Sequence, residues 1–222
     1  MYAKYIKRIL DFILSLIALI VLSPVLLVVA ILVRIKLGSP IIFKQQRPGK
    51  DERIFTLYKF RTMTDKKDEN GNLLPDSERL TKFGKVLRST SLDELPELVN
   101  ILKGDMSIVG PRPLLIRDML FMTDEQRKRH TVRQGLTGLA QINGRNNINW
   151  EEKLEYDLQY IKNITFVEDM KIIFKTVLKV LKRDDINTDG MDTAEDLCDY
   201  LLRTNKITEK EYKEKLRTQV KL

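Results

Sequence analysis

The chain has little of what builds metal clusters and covalent staples. Its 222 residues include one cysteine, Cys198, and one histidine, His130. A lone cysteine excludes an intrachain disulfide and a cysteine-rich zinc site, and a lone histidine excludes a histidine metal cluster. Any metal must then be held by oxygen ligands, which means Mg²⁺ or a similarly hard cation. Acidic residues are scarce in the first sixty positions, where ten Lys/Arg face three Asp/Glu. Seven of the eight excess positive charges therefore sit there. Such a balance asks for an anionic partner, either nucleic acid or a membrane surface. Charge is absent altogether from Phe12 to Val33. At ~1.5 Å per residue that run is long enough to cross a bilayer core. It offers no small-residue cleavage site, so it does not read as a signal peptide. Basic residues gathered around a lipid-like segment favour the membrane over nucleic acid.

Two features qualify a plain spanning helix. Ser23-Pro24 lies at the middle of the run, where proline removes a hydrogen bond and costs ~3 kcal/mol unless the helix bends. Ser23 can supply a local partner for the freed backbone. Cations also flank both ends, Lys4, Lys7 and Arg8 before it and Arg34 and Lys36 after it, whereas a spanning helix usually shows a one-sided bias. The residues fit a kinked spanning helix and a re-entrant hairpin equally.

The densest chemistry lies between Arg88 and Pro113. Leu95, Leu98, Val99 and Leu102 recur at helical spacing and predict a helix from about Glu94 to Lys103. Pro96 is tolerated in its first turn and Gly104 ends it as a C′ residue. Asp93 and Glu94 then stand at the helix N-terminus, where free N–H groups and the macrodipole favour anions. One reading is capping, with Ser91-x-x-Glu94 as a capping box and Asp93 as an N-cap. The other is an anion site, because Arg88 and Arg112 bracket the pair and the helix breaks into Gly110-Pro-Arg-Pro113.

Around this stretch the pattern is mixed. Ile41 to Arg61 alternates as two strands joined at Arg47-Pro-Gly49, with Lys59 and Arg61 on one face, as a solvated edge or a phosphate contact. Thr64 to Ser77 is a polar loop turning at Asn70-Gly71, after which Asp76 or Ser77 caps a short helix delivering Arg88. Thr123 to Arg133 reads as a charged surface helix, and Gly135 to Arg145 as a phosphate contact or an ordinary turn. Asn149-x-x-Glu152 opens a helix whose apolar stripe, Trp150, Leu154, Leu158 and Ile161, also carries Asp157, a buried carboxylate in need of a partner such as a core arginine. Lys171 to Arg183 is basic and amphipathic, suited to an anionic membrane surface. Two short helices are predicted in the tail, Thr193 to Arg203 and Thr208 to Leu216, the second opened by Thr208-x-x-Glu211.

Arg88-Ser-Thr-Ser-Leu-Asp93-Glu94-Leu-Pro96 and Lys103-Gly-Asp-Met-Ser-Ile-Val-Gly-Pro-Arg-Pro113 resemble the signature of the bacterial sugar transferases, the monotopic phosphoglycosyl transferases. Further motifs follow in family order: Phe43-Lys-Gln-Gln-Arg47-Pro-Gly49, Phe55-Thr-Leu-Tyr-Lys59-Phe-Arg61-Thr-Met63 and Gly135-Leu-Thr-Gly-Leu-Ala-Gln141-Ile-Asn-Gly-Arg145. The resemblance covers about Lys7 to Arg183. One departure is Arg133-Gln134-Gly135, where the family usually has Arg-Pro-Gly.

The resemblance implies an α/β fold in a monotopic membrane protein. Residues 1–36 would form a re-entrant helix-break-helix with both ends cytoplasmic. Residues 37–185 would form a compact interfacial catalytic domain with amphipathic helices. Residues 186–222, which the resemblance does not cover, would be a helical appendage of unknown role, an interaction module or a cap, dispensable to the chemistry because the family motifs end before it. The implied reaction moves a sugar-1-phosphate from a UDP-sugar to polyprenyl (undecaprenyl) phosphate, at the cytoplasmic face of the bacterial inner membrane. Asp93 would be the nucleophile and a ligand of Mg²⁺, and Glu94 would orient the metal or handle a proton. Lys59, Arg88, Arg112 and Arg145 would contact phosphate, and Asp157 would support the substrate site. The partners implied are the UDP-sugar, the lipid phosphate and membrane lipids, with no nucleic acid. Likeness to small members that begin protein-linked glycans points to UDP-N,N′-diacetylbacillosamine. Two rival readings are a membrane-anchored nucleic-acid-binding protein and a non-catalytic membrane scaffold. The first calls for aromatics among the basic clusters and no carboxylate pair between them.

Overall fold

A computed structural model describes residues 1–144, 148–182 and 195–219. The fold is α/β, with two small sheets set among helices. It begins with a short π-helical turn (Tyr2–Ile6) that runs into α1 (Lys7–Val21) and then α2 (Ser23–Leu37). The two helical arms are bent by 64°. Pro24 has no N–H to give to the Ile20 carbonyl, and the Ser23 hydroxyl donates to that carbonyl instead at 2.7 Å. No single helix among the described residues is long and apolar enough to cross a bilayer, whereas the bent pair together has that length and composition.

One face of this bent pair belongs to the core of the molecule. Val29, Val33 and Leu37 are buried against Phe60 and Leu87, and Ala18, Leu19 and Leu22 pack on the cluster of Leu57, Ile101 and Met106. The opposite face exposes Ile13, Ile17, Ile20, Leu27, Ile31 and Ile35. Asp11, just ahead of the uncharged run, is buried within α1.

The chain then forms β1 (Ile42–Pro48) and β2 (Ile54–Phe60), antiparallel with Phe43 opposite Lys59 and Arg47 opposite Phe55. The turn expected at Arg47-Pro-Gly falls later, because Arg47 and Pro48 are still paired and Gly49 to Arg53 makes the reversal. Next come a single turn at Asp76–Arg79 and α3 (Lys82–Ser89). The cap of α3 is Thr81, whose hydroxyl accepts from the Gly84 N–H at 3.0 Å, rather than Asp76 or Ser77. Gly84 is required there, since a Cβ would lie 1.9 Å from the Thr62 carbonyl oxygen.

A 3₁₀ turn (Leu92–Glu94) leads to α4 (Glu97–Lys103), closed by Gly104 at φ +93°, and then to β3 (Met106–Val109). After α5 (Ile116–Phe121), β4 (Gln134–Thr137) pairs with β3 in parallel. Gly110 donates to the Thr137 carbonyl at 2.9 Å and Gly135 to that of Pro111 at 2.8 Å. A Cβ on Gly135 would come within 2.1 Å of the Gly110 nitrogen, so glycine serves strand contact here, as an ordinary structural turn would. Arg145 lies outside the described residues.

The segment Thr123 to Arg133 is not the surface helix its charge predicted. One α turn (Asp124–Arg127) passes into a 3₁₀ turn (Lys128–Thr131), and Arg129 and His130 are buried. Buried pairing, which charge content alone does not disclose, decides the conformation. Then α6 (Trp150–Lys162) starts on the expected Asn149–Glu152 capping box, and α7 (Phe166–Lys182) follows. Ile172 is fully buried on α7, while Phe174, Val177 and Leu181 are exposed.

The tail supplies α8 (Leu197–Arg203) and α9 (Glu209–Gln219), the latter preceded by reciprocal Thr208–Glu211 capping bonds. These helices share a core with the family-like part: Leu197 and Cys198 are buried with Phe121, Met122, Trp150 and Leu154. The Leu197 N–H donates to Asp118 at 2.9 Å and the Trp150 indole to the Glu195 carbonyl at 3.1 Å. Tail removal is therefore expected to lower the melting temperature markedly, and Leu197→Ala alone to cost ~2–5 kcal/mol. Thermal unfolding of the two variants tests this. An unchanged melting temperature in both would contradict the shared core.

Candidate active site

The expected helix from Glu94 is divided. Pro96 is the cap residue of α4 and makes no side-chain capping bond, and Ser91 stands in the left-handed region at φ +54° without one. Neither the Ser91–Glu94 capping box nor an N-cap at Asp93 forms. The 3₁₀ turn instead presents both carboxylates to cations from two other elements. Glu94 accepts from the Lys59 ammonium at 2.8 Å and from Arg112 at 2.5 Å. Lys59 also reaches Glu97, on the first turn of α4, at 3.1 Å. Lys59 is thus no solvated edge residue, and burial works to lower its pKa. The Glu94 and Glu97 carboxylates outweigh that and leave it above the ordinary lysine value.

Asp93 and Glu97 show what this clustering does to carboxylates. Burial and then the Glu94 charge push Asp93 up to about 6, against the opposing pull of Lys59, Arg88 and Arg112. Burial likewise raises Glu97 to about 7. The Arg112 guanidinium is held above its usual range chiefly by Glu94. Among the described residues no hydrogen bond or ion pair engages the Asp93 carboxylate, which is 7% exposed. Arg88, at the end of α3, donates through Nε to the Thr62 hydroxyl at 3.2 Å, so the close approach at Gly84 also places this cation.

Arg61 goes elsewhere: it is buried, bonds the Met63 and Ser39 carbonyls and pairs with Asp65. Asp157 makes a buried pair with Arg129, whose Nε and Nη2 lie 2.9 and 2.8 Å from its Oδ2. The same guanidinium donates to the backbone carbonyl of Arg112 at 2.5 Å. Asp157 therefore pairs with a core arginine, as the sequence allowed, and that arginine in turn bonds the Arg112 backbone. The sequence reading missed Arg129 and Glu97. Glu97 was discoverable, being one helical turn from Asp93, but nothing in Lys128-Arg-His130 marks which cation turns inward.

A cluster of three or more potential metal-ligating side chains is absent among the described residues. What is present fits Mg²⁺ in a limited way, because Asp93 offers an oxygen not consumed by a described partner, and Mg²⁺ commonly takes one or two carboxylates and completes its shell with substrate phosphates and water.

An uncapped aspartate in the field of Lys59, Arg88 and Arg112 has surroundings that suit a phosphorylated ligand. The chain belongs to the bacterial sugar transferase family, whose model matches residues 2–183. It is 51% identical over 190 residues to the uncharacterized sugar transferase EpsL of Bacillus subtilis (strain 168), covering 86% of this chain and 94% of EpsL. It is 44% identical over 188 residues to the UDP-glucose:undecaprenyl-phosphate glucose-1-phosphate transferase of Klebsiella pneumoniae, covering 78% of this chain and 39% of that protein. A UDP-N-acetylgalactosamine-undecaprenyl-phosphate N-acetylgalactosaminephosphotransferase of Aeromonas hydrophila is 37% identical over 188 residues, or 80% of this chain and 44% of the relative. The chain thus spans nearly all of EpsL and less than half of the other two.

Proposed function

We propose that this protein transfers a sugar-1-phosphate from a UDP-sugar to undecaprenyl phosphate, releasing UMP, at the cytoplasmic face of the bacterial inner membrane. The observation that carries the reading is the uncapped Asp93 carboxylate among three cations, two of which Glu94 holds in place. In the first step an Asp93 oxygen attacks the sugar-bearing phosphorus. A new P–O bond forms, the P–O bond to the uridine-bearing phosphate breaks, and UMP departs. In the second, an oxygen of the lipid phosphate attacks the same phosphorus, the Asp93–phosphorus bond breaks, and the carboxylate is restored. Lys59, Arg88 and Arg112 bind and orient the diphosphate, arginine offering bidentate geometry for it. Glu94 fixes Lys59 and Arg112 and would orient the metal or handle a proton. Mg²⁺, with Asp93 among its ligands, would supply charge neutralisation to the diphosphate.

The relatives' names support undecaprenyl phosphate as acceptor and UDP-sugars as donors. UDP-N,N′-diacetylbacillosamine, from the likeness to small family members, joins UDP-glucose and UDP-N-acetylgalactosamine in the donor screen. Purified protein given each donor with undecaprenyl phosphate and Mg²⁺ should release UMP from one of them. No release from any donor would leave the scaffold reading, and tight nucleic-acid binding with a steep salt dependence would favour the other rival.

The hairpin is read as re-entrant, with its exposed apolar face in the bilayer and the catalytic residues at the interface. Cysteines at Tyr2 and Ser39, with Cys198 replaced by alanine, should both react from the cytoplasmic side. Reaction from opposite sides would restore a spanning helix. Pro24→Ala returns the Ile20 hydrogen bond and should shift the population toward straightened molecules.

A further inference from the structure

A cavity of about 210 Å³ lies between the foot of α1 and the segment Thr131–Arg133. None of the residues proposed to act on the nucleotide sugar lines it. Its walls carry five cations, Lys4, Lys7, Arg8, Lys50 and Arg133, against one carboxylate, Asp11. That carboxylate accepts from the Ser107 hydroxyl at 2.7 Å and the Ile108 N–H at 3.0 Å, which hold it in place and leave the wall with an excess of cations. Lys7 pairs with Asp169. The guanidinium of Arg8 donates to the Ile101 and Leu102 carbonyls and that of Arg133 to the Gly104 carbonyl. Those acceptors are uncharged, so they fix the two arginines without neutralising them. Among the described residues Lys4 and Lys50 form no ion pair.

The surroundings say which anion suits the cavity. It is smaller than the ~300–1,000 Å³ of ordinary ligand pockets, too small for a nucleotide sugar and adequate for a single phosphate group. Close in sequence to its lining residues Ile164 and Lys7 are exposed apolar side chains: Phe166 and Val167 at the start of α7, and Ile6 at the end of the π-helical turn. Tyr2 packs edge-on against Phe166 at 5.9 Å between ring centroids. A charged hollow with an apolar border matches a phosphate that carries acyl chains.

We propose that this cavity seats the phosphodiester of an anionic phospholipid as a non-substrate ligand at the foot of the hairpin. The proposal rests on the reading of the hairpin as membrane-embedded and is independent of the chemistry at Asp93. The test places the full-length protein in phosphatidylcholine nanodiscs containing spin-labelled phosphatidylglycerol or, separately, spin-labelled phosphatidylcholine. Wild type should show a motionally restricted fraction with the anionic label only. Lys4→Gln/Lys50→Gln, which removes no described structural contact beyond a lysine–tyrosine ring approach, should weaken that association roughly five-fold per cation removed. Lys171→Gln/Lys175→Gln, which discharges α7 instead, should leave it intact, and UMP release by both double variants should match wild type. Equal loss in the two double variants would overturn the site in favour of diffuse attraction. Displacement by inorganic phosphate, with no preference for the glycerol headgroup over choline, would overturn the lipid in favour of free phosphate. Loss of UMP release in wild type would instead indict the catalytic reading, leaving this result standing.

Discussion

Asp93→Asn should fold, gain stability at neutral pH in the metal-free protein, and lose turnover by on the order of 10⁴-fold or more. The activity loss follows from chemistry, since an amide is neither a carboxylate nucleophile nor a good Mg²⁺ ligand. The stability gain follows from burial. Asp93 titrates at about 6 when folded, against 3.8 for the unperturbed group. Between those values the folded state binds the proton more tightly than the unfolded state, so wild type loses stability as pH rises through that window. Asparagine carries no charge and escapes the loss. In EDTA the variant should thus exceed wild type by ~1–3 kcal/mol at pH 7.5, with the difference vanishing near pH 4. Melting curves across pH supply the check, and the two effects are opposite in sign, which a capping residue could not produce. Without lipid acceptor, the wild-type peptide containing Asp93 should carry sugar phosphate. Normal turnover by Asp93→Asn would remove the nucleophile assignment and make Glu94 the next candidate.

The other large effect is expected at Arg129. Truncating it to alanine strands the Asp157 carboxylate in the core and should cost ~3–5 kcal/mol. It also takes the donor from the Arg112 carbonyl, which sits in the turn that aims the Arg112 guanidinium at Glu94. Arg129→Met/Asp157→Leu separates the two consequences. Removing both charges together should return most of the lost stability, as buried pairs replaced by apolar residues generally do. The Arg112 carbonyl would still lack its partner, so kcat should remain low while the melting temperature recovers. Recovery of both would reduce the pair to a core filler.

Legibility followed local periodicity. The bend at Ser23-Pro24, the cap at Asn149, the Gly104 ending and the paired strands around Lys59 all register in the sequence, the first three through single residues' own geometry and the strands through alternation over neighbouring residues. The Asp93–Glu94 site was legible as a cluster bracketed by Arg88 and Arg112, but not as a 3₁₀ turn. Pro96 was expected inside the first helical turn and in fact separates that turn from α4. What stayed hidden were buried charges whose partners are distant in sequence: Arg129 with Asp157, and Asp169 with Tyr2, Lys7 and Tyr160. Nor did composition tell that the tail would close over Trp150 and Phe121.

The Asp11 staple bears on how such a protein could be handled or rebuilt. A lipid anchor joined by a tether can be clipped off, and the remainder goes into water unchanged. Here, deleting the first arm would strip β3 of the carboxylate that holds Ser107 and Ile108, two residues before the Gly110 turn. Deleting the second would uncover Phe60 and Leu87. A water-soluble version would have to retain both arms and repaint their outward-facing isoleucines and leucines with polar residues.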